Sequence, residues 1–386
     1  MDTIACMFHD IAVVGAGVFG AWSAYQLRLA GASVLLVDAY GPGNSRASSG
    51  GESRIIRLGY GPDEIYSRSS QRSLTLWQQL FEITEPLFQK TGVLWLAHEH
   101  DAYCEATLAT LQHLNANFER LDQDELIRRF PQLEAGPTRW GILEPDSGVL
   151  LARRAVRAVV DQAQANGVEY VQEAIAPPQP MRGKINSVQT ISGKEITAGQ
   201  FVFACGPWLP KLFPELLRDL IHVTRQEVIF LGVPPGDDSF SRGVMPAWID
   251  FNDLVYALPN LDGRGFKIAI DAHGEEFDPD TGERVVSVNG LKAVREYLAK
   301  RVPRLANAPV METRVCQYEN TSNGDFLIDR HPVIENVWIV GGGSGHGFKH
   351  GPAVGEYVAG MIGGAGVEER RFTLATKERV QQRKVY

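Results

Sequence analysis

Six residues near the start of the chain, Gly15-Ala16-Gly17-Val18-Phe19-Gly20, could do specific chemistry by their type and spacing. They end a short apolar run and open a helical pattern, and Asp38 closes the next apolar run. That is the arrangement of a dinucleotide cradle. Gly15 permits a tight turn, Gly17 lets backbone N–H groups approach a pyrophosphate, and Gly20 lets the helix pack closely on the strand. The pyrophosphate gains from the helix N-terminus, where unpaired N–H groups and the macrodipole favour anions. Asp38 would accept hydrogen bonds from a ribose diol and repel a 2′-phosphate. NAD and FAD share this fingerprint, so it does not choose between them.

Other residues carry chemistry only in context. Arg54 and Arg57 flank two isoleucines in a Gly/Ser-rich stretch, which by itself describes a surface loop with two solvated arginines. Lys267 interrupts the apolar run GFKIAI, and a strand lysine ordinarily points to solvent. Cys316, within RVCQY, reads alone as a small buried side chain. The four cysteines, Cys6, Cys104, Cys205 and Cys316, contain no CxxC pair, so neither a metal site nor a disulfide framework is expected.

The elements that must position these residues follow from periodicity. Residues 11–17 predict a buried strand, 20–30 a helix ending at Gly31, and 33–38 a second buried strand, together a βαβ unit. Residues 41–61 predict a long loop, and 63–84 a helix with Leu74, Trp77, Leu80 and Phe81 on one face. A further helix fits 152–165, stopping at Asn166-Gly167, and an apolar strand runs to Gly206. From about 215 to 311, turns and short alternating strands (226–231, 254–258, 266–270) predict an antiparallel sheet. The chain then returns to a buried strand at 337–341, a glycine-rich loop at 341–347 and a helix near 352–362. The expected class is α/β (α+β overall). A discontinuous Rossmann-type nucleotide domain takes 1–85, 145–214 and 312–386, and a second, substrate domain on an antiparallel sheet takes 86–144 and 215–311.

With 44% hydrophobic and 22% charged residues among 386, the composition is that of a globular protein with a sizeable core. A net charge of -8 argues against nucleic acid or an anionic membrane as partner. No stretch approaches the roughly 20 apolar residues of a membrane span. The run from Ile11 to Trp22 is not preceded by Lys or Arg and is broken by glycines, unlike a signal peptide. The expectation is a soluble, cytoplasmic protein.

The motifs GAGVFG (15–20), SRIIRLGYG (53–61), TGVLW (91–95), EPDSGVL (144–150), CGPW (205–208), FDPDT (277–281), VCQY (315–318) and GSGHGFK (343–349) are spread over nearly the whole chain. In them the chain resembles the monomeric sarcosine oxidase family of D-amino-acid-oxidase-like flavoproteins, which includes N-methyltryptophan oxidase. The resemblance implies FAD rather than NAD, a monomer, and a covalent thioether from Cys316 to the flavin. It implies that Val18, Phe19, Ser45, Arg54, Gly343, Gly345, His346, Gly347, Phe348 and Lys349 adjoin the cofactor, with an ordinary core histidine as the other reading of His346. Arg57 and Lys349 would grip a substrate carboxylate, which suits the planar fork of a guanidinium. Lys267 would promote the reaction with O2, and Tyr256 and Tyr318 would orient the substrate.

Two positions depart from the family. Ser49-Gly50 stands where relatives often carry His-His, and Asp271 replaces a histidine four residues after the lysine. The departures point away from sarcosine itself, to an amine pocket of different shape or charge in which Asp271 faces a cationic group on a larger substrate. The expected activity is oxidation of a secondary or N-substituted (N-methyl or cyclic) amino acid, with hydride transfer to flavin, imine hydrolysis and reduction of O2 to H2O2. A dehydrogenase of the same fold with another electron acceptor, a non-catalytic flavin-binding protein and an NAD-dependent dehydrogenase are the rivals.

Overall fold

The strand His9–Val14 is the centre of the nucleotide-side sheet, pairing in parallel with Val34–Asp38 on one edge and Glu195–Phe203 on the other. Its residues are apolar on both faces because both faces are covered, the usual condition of a parallel sheet. The computed structural model describes residues 8–179 and 183–382; Cys6, expected to be an ordinary thiol, lies outside them. Across this seven-stranded sheet the order is Leu327–Arg330, Val337–Gly341, Glu195–Phe203, His9–Val14, Val34–Asp38 and Glu169–Gln172, with Ser187–Gln189 added antiparallel to Glu195–Phe203. Segments from the beginning, middle and end of the chain therefore build one sheet.

The helix Val18–Leu29 follows the first strand, and Gly351–Ile362 packs against it. The approach is close: a Cβ on Gly355 would lie 2.6 Å from the carbonyl oxygen of Trp22. Glu64–Glu82 closes the same layer, where Trp77 and Trp22 meet edge to face at 5.1 Å, a geometry worth about 1 kcal/mol beyond the area buried. The helix expected at 152–165 is present as Ala152–Ala165.

The second sheet has eight strands in the order Val310–Thr321, Ile221–Leu231, Phe266–Ile270, Val255–Leu258, Ala247–Asp250, Val93–Ala97, Trp140–Glu144 and Glu119–Asp122. It is antiparallel except where Ala247–Asp250 runs parallel to Val93–Ala97. Residue 312, where the last nucleotide-side segment is expected to begin, falls inside Val310–Thr321, which pairs along its length with Ile221–Leu231 in this sheet. The helix Val288–Arg301, capped by Ser287 and not anticipated, covers one face by packing Val294 and Leu298 on Ile229, Phe266 and Ile268. Alternation along the strands turns Lys267, Ala269 and Tyr256 to the opposite face. Register sets Phe230 beside Lys267, Gln226 beside Cys316 and Thr224 beside Tyr318 on that face.

The stretch 41–61 is not a plain loop. It contains a turn at Ser48–Gly50 and the strand Arg54–Ile56, which pairs with Gly148–Leu150 in a small third sheet. After that strand the backbone is held by a buried carboxylate. Glu144 accepts from Leu58 N–H (2.6 Å) and Ser147 Oγ (2.6 Å) with one oxygen, and from Trp95 Nε1 (2.8 Å) and Gly59 N–H (3.0 Å) with the other. Replacing Glu144 by Ala leaves these donors buried and unsatisfied, so unfolding free energy is expected to fall by about 3 kcal/mol or more, read from the urea midpoint at unchanged slope. A loss below about 1 kcal/mol would show that the donors find other partners.

Candidate cofactor and active site

The glycine turn is tight for reasons within the protein at two of its three positions. Gly15 has φ +104°, and a Cβ there would lie 2.4 Å from the carbonyl oxygen of Ala204. A Cβ on Gly20 would lie 1.8 Å from the carbonyl oxygen of Gly15, so only glycine lets the helix sit on the turn. Gly17 differs: a Cβ would meet nothing closer than Ser49 Oγ at 3.5 Å. The need for glycine there lies on the cavity side, where a pyrophosphate would approach the backbone. Ser49 Oγ accepts from Val18 N–H at 3.0 Å, a role the sequence did not reveal.

Asp38 does more than wait for a ribose. Its carboxylate accepts from Ala16 N–H (2.7 Å), Tyr40 N–H (2.8 Å) and Gly41 N–H (2.8 Å). Burial pushes its pKa up against those three donors, which pull it down. A carboxylate offers about four lone-pair sites, so room for about one further donor remains.

From Asp38 a cavity of about 360 Å3 runs past Gly17, Ser49 and Arg54 to Cys316, Tyr318 and Phe348. Val18, Phe19, Gly343, Gly345 and Gly347 also border it. Its size is in the range of small-molecule sites. The glycine cradle, the acid at one end and the polar junction at the other fit an extended dinucleotide such as FAD.

Two smaller cavities adjoin it, and Arg54 and Cys316 line all three. Arg54 is half-buried rather than solvated, donating to Ser53 O (2.8 Å), Ser48 O (2.7 Å) and Cys316 Sγ (3.3 Å). A Cβ on Gly51 would lie 2.3 Å from Arg54 Nη1, so the glycine leaves space for the guanidinium. Burial pushes the thiols of Cys104 and Cys205 up, as befits packed side chains. Among the described cysteines, Cys316 alone sits beside a guanidinium at a cavity junction.

One adjoining cavity, of about 80 Å3, is bordered by Arg57, Lys349, Tyr256, Asp271 and Tyr318. Arg57, also expected on a surface loop from its surroundings alone, is 5% exposed, its guanidinium over the rings of Tyr60 (4.2 Å) and Trp95 (4.7 Å). Lys349 donates to Tyr60 Oη (2.8 Å) and His346 O (3.0 Å), and burial with nearby Arg57 pushes its amine well below the usual lysine range. Tyr318 Oη donates to Asp271 at 2.5 Å. Loss of surrounding water pushes the Asp271 carboxyl up to about 6, despite that hydrogen bond. Burial likewise raises the Tyr256 phenol.

The other cavity, of about 230 Å3, holds Lys267 and Ser45. The solvent-facing reading of Lys267 is overturned, since its side of the strand turns inward and the residue is 2% exposed. Its ammonium donates to Ser53 O (2.8 Å) and Ser53 Oγ (3.3 Å), and burial with Arg54 nearby pushes it well below the usual range. His346 borders the small cavity and packs among Tyr66 and Phe326, bonding Gly324 O at 3.1 Å. Glu144, Tyr60 and His350 were missed. Tyr60 lies within the motif SRIIRLGYG, Glu144 opens EPDSGVL and His350 follows GSGHGFK, but the role of each becomes visible only through its tertiary partners.

Among the described residues no helix is long and apolar enough to cross a membrane, and no group of three or more His, Cys, Asp or Glu is arranged to hold a metal ion. The chain is 32% identical over 358 residues to monomeric sarcosine oxidase of Bacillus sp. (strain B-0618), covering 91% of each. It is 28% identical over 362 residues to N-methyl-L-tryptophan oxidase of Salmonella heidelberg (strain SL476), covering 92% of this chain and 94% of that one. Its fold matches that of L-proline dehydrogenase from P. horikoshii with a TM-score of 0.81 at 21% identity, over 95% and 97% of the two chains. A family profile described as DAO, FAD dependent oxidoreductase, matches residues 10–361, and the chain belongs to that family.

Proposed function

We propose that the protein is an FAD-dependent oxidase of a secondary or N-substituted amino acid, N-methyl or cyclic, that produces hydrogen peroxide. The observation that carries this reading is the small cavity in which two buried cations, Arg57 and Lys349, share the lining with the Asp271 carboxyl. An amino acid brings the complementary charges. Relatives named for sarcosine and for N-methyl-L-tryptophan, both N-methyl amino acids, support the class of substrate.

In this reading Arg57 and Lys349 hold the substrate carboxylate, and Asp271 with Tyr318 faces its cationic end. Tyr256 packs beside the reacting carbon, and Arg54 borders both substrate and cofactor. When bound, FAD supplies the acceptor for a hydride equivalent from the carbon beside nitrogen and returns the electrons to O2. The imine product then hydrolyses in water. Lys267 stands in the adjoining cavity as a cation for charge developing on oxygen. Because burial and Arg54 loosen its proton, it offers a proton as well as a charge. Cys316, at the junction of the three cavities, is proposed to tether the flavin.

Anaerobic mixing with N-methyl amino acids, cyclic imino acids and glycated amino acids is expected to bleach the flavin band with one of these classes, and aerobic turnover to give peroxide. No bleaching with any of them would reject the substrate class. Lys267→Met is expected to slow reoxidation by O2 about 100-fold while flavin reduction changes little; equal reoxidation rates would remove its role. After acid precipitation the yellow colour is expected to stay with native protein and to leave the Cys316→Ser variant. Colour in the supernatant of both would rule out the tether.

A further inference from the structure

Lys349 is joined to the outside of the protein by a continuous run of hydrogen bonds. Its Nζ donates to Tyr60 Oη (2.8 Å), Tyr60 Oη lies 2.7 Å from His350 Nε2, and His350 Nδ1 lies 2.9 Å from Ser69 Oγ. Lys349, Tyr60 and His350 are buried, whereas Ser69 is partly exposed on the helix Glu64–Glu82, next to exposed Arg68. Tyr60, His350 and Ser69 border none of the three cavities, so contact with cofactor or substrate does not account for them.

One polarity satisfies the run. When Lys349 carries its proton it has only donors, so Tyr60 Oη accepts from it and turns its single proton toward a histidine. His350 Nε2 at 2.7 Å outcompetes His346 Nδ1 at 3.4 Å. Nε2 of His350 is then the acceptor, its proton sits on Nδ1, and Nδ1–H donates to Ser69 Oγ. Every group between lysine and solvent holds one proton to give and one site to receive.

We propose that Lys349, Tyr60, His350 and Ser69 form a relay that moves protons between the substrate cavity and solvent. Lys349 Nζ gives a proton to Tyr60 Oη as that hydroxyl gives its own to His350 Nε2. The ring gives its Nδ1 proton to Ser69 Oγ, whose proton passes to water. One proton leaves the lysine, one reaches solvent, and no electrons move; transfer in the reverse sense resets the run. The reading of Lys349 as a clamp for a carboxylate gives the relay its purpose, since a charge that enters or leaves a closed pocket must be matched by a proton. The charged and titratable neighbours are Arg57 over the Tyr60 ring, and His346 and the Tyr66 ring against His350. Burial and Lys349 push the His350 imidazole well below its usual range, which keeps the ring neutral, with one site free to accept.

The test has an arm that needs no ligand. In FAD-loaded protein labelled with 15N-histidine, the His350 ring proton is expected on Nδ1, with its exchange with water slowed about tenfold or more in Ser69→Ala. A proton found on Nε2, or exchange unaffected by the substitution, overturns the relay whatever the pocket binds. The second arm mixes the protein in weak buffer with acetate, which has a carboxylate but no oxidisable amine, and follows the flavin spectrum and a pH indicator together. The indicator is expected to keep step with the spectrum in native protein and to lag about tenfold or more in Ser69→Ala and in His350→Phe, which keeps a ring among Tyr66 and Phe326. An indicator that keeps step in both variants overturns the relay. Absence of bleaching by every amine would instead reject the substrate class, and the histidine arm would still decide the relay.

Discussion

A half-buried guanidinium is tolerable only if its donors find partners, and Arg54 finds them by tying together parts of the chain far apart in sequence. It reaches the carbonyls of Ser48 and Ser53 on its own loop and the sulfur of Cys316 on a strand of the other sheet. Where it crosses, the three cavities converge. The contact also helps to hold the glycine-rich loop against the long strand Val310–Thr321, together with Ser48 Oγ donating to Gln317 O, Gln317 Nε2 donating to Arg46 O and the Arg314–Glu52 ion pair. Gly51 is the local concession, since any side chain there would occupy the space of the guanidinium.

The second sheet supplies its residues by simple alternation. Its outer face is sealed by the helix Val288–Arg301, so whatever points the other way faces the nucleotide side. Lys267 and Ala269 on one strand, Tyr256 on its neighbour and Cys316 with Tyr318 two strands away share that face through register alone. A slip of one residue in any of these pairings would send the lysine or the thiol into the apolar layer beneath the helix. Fold and site are thus specified by the same hydrogen-bond ladder.

How much of this could be read from the residues depended on how local the cause was. The glycine fingerprint, Asp38 and the strands flanking them were legible because parallel strands covered on both faces are written as continuous apolar runs. The helices at 64–82, 152–165 and 351–362 were legible through their apolar stripes. The helix Val288–Arg301 was not, because lysines, arginines and a glycine dilute its apolar stripe. The burial of Arg57 depends on Trp95 and on a turn fixed by Glu144, 86 residues beyond Leu58 in sequence, and no local pattern encodes that partnership. Lys267 marks the limit of period-two reasoning. The alternation was visible, but which face would be enclosed depended on where the small third sheet and the loop around Ser53 came to rest.

Asp38 illustrates a wider point about how such cradles are inherited. Its carboxylate binds three backbone N–H groups from two separate turns, so the corner proposed for the adenosine end is assembled by the same atoms that would greet it. The corner is therefore held by contacts within the chain itself. The same economy makes the position unforgiving. No substitution there can alter nucleotide preference without also loosening the turn, so a shift in specificity would have to begin elsewhere, in residues that border the cavity but do not hold it together.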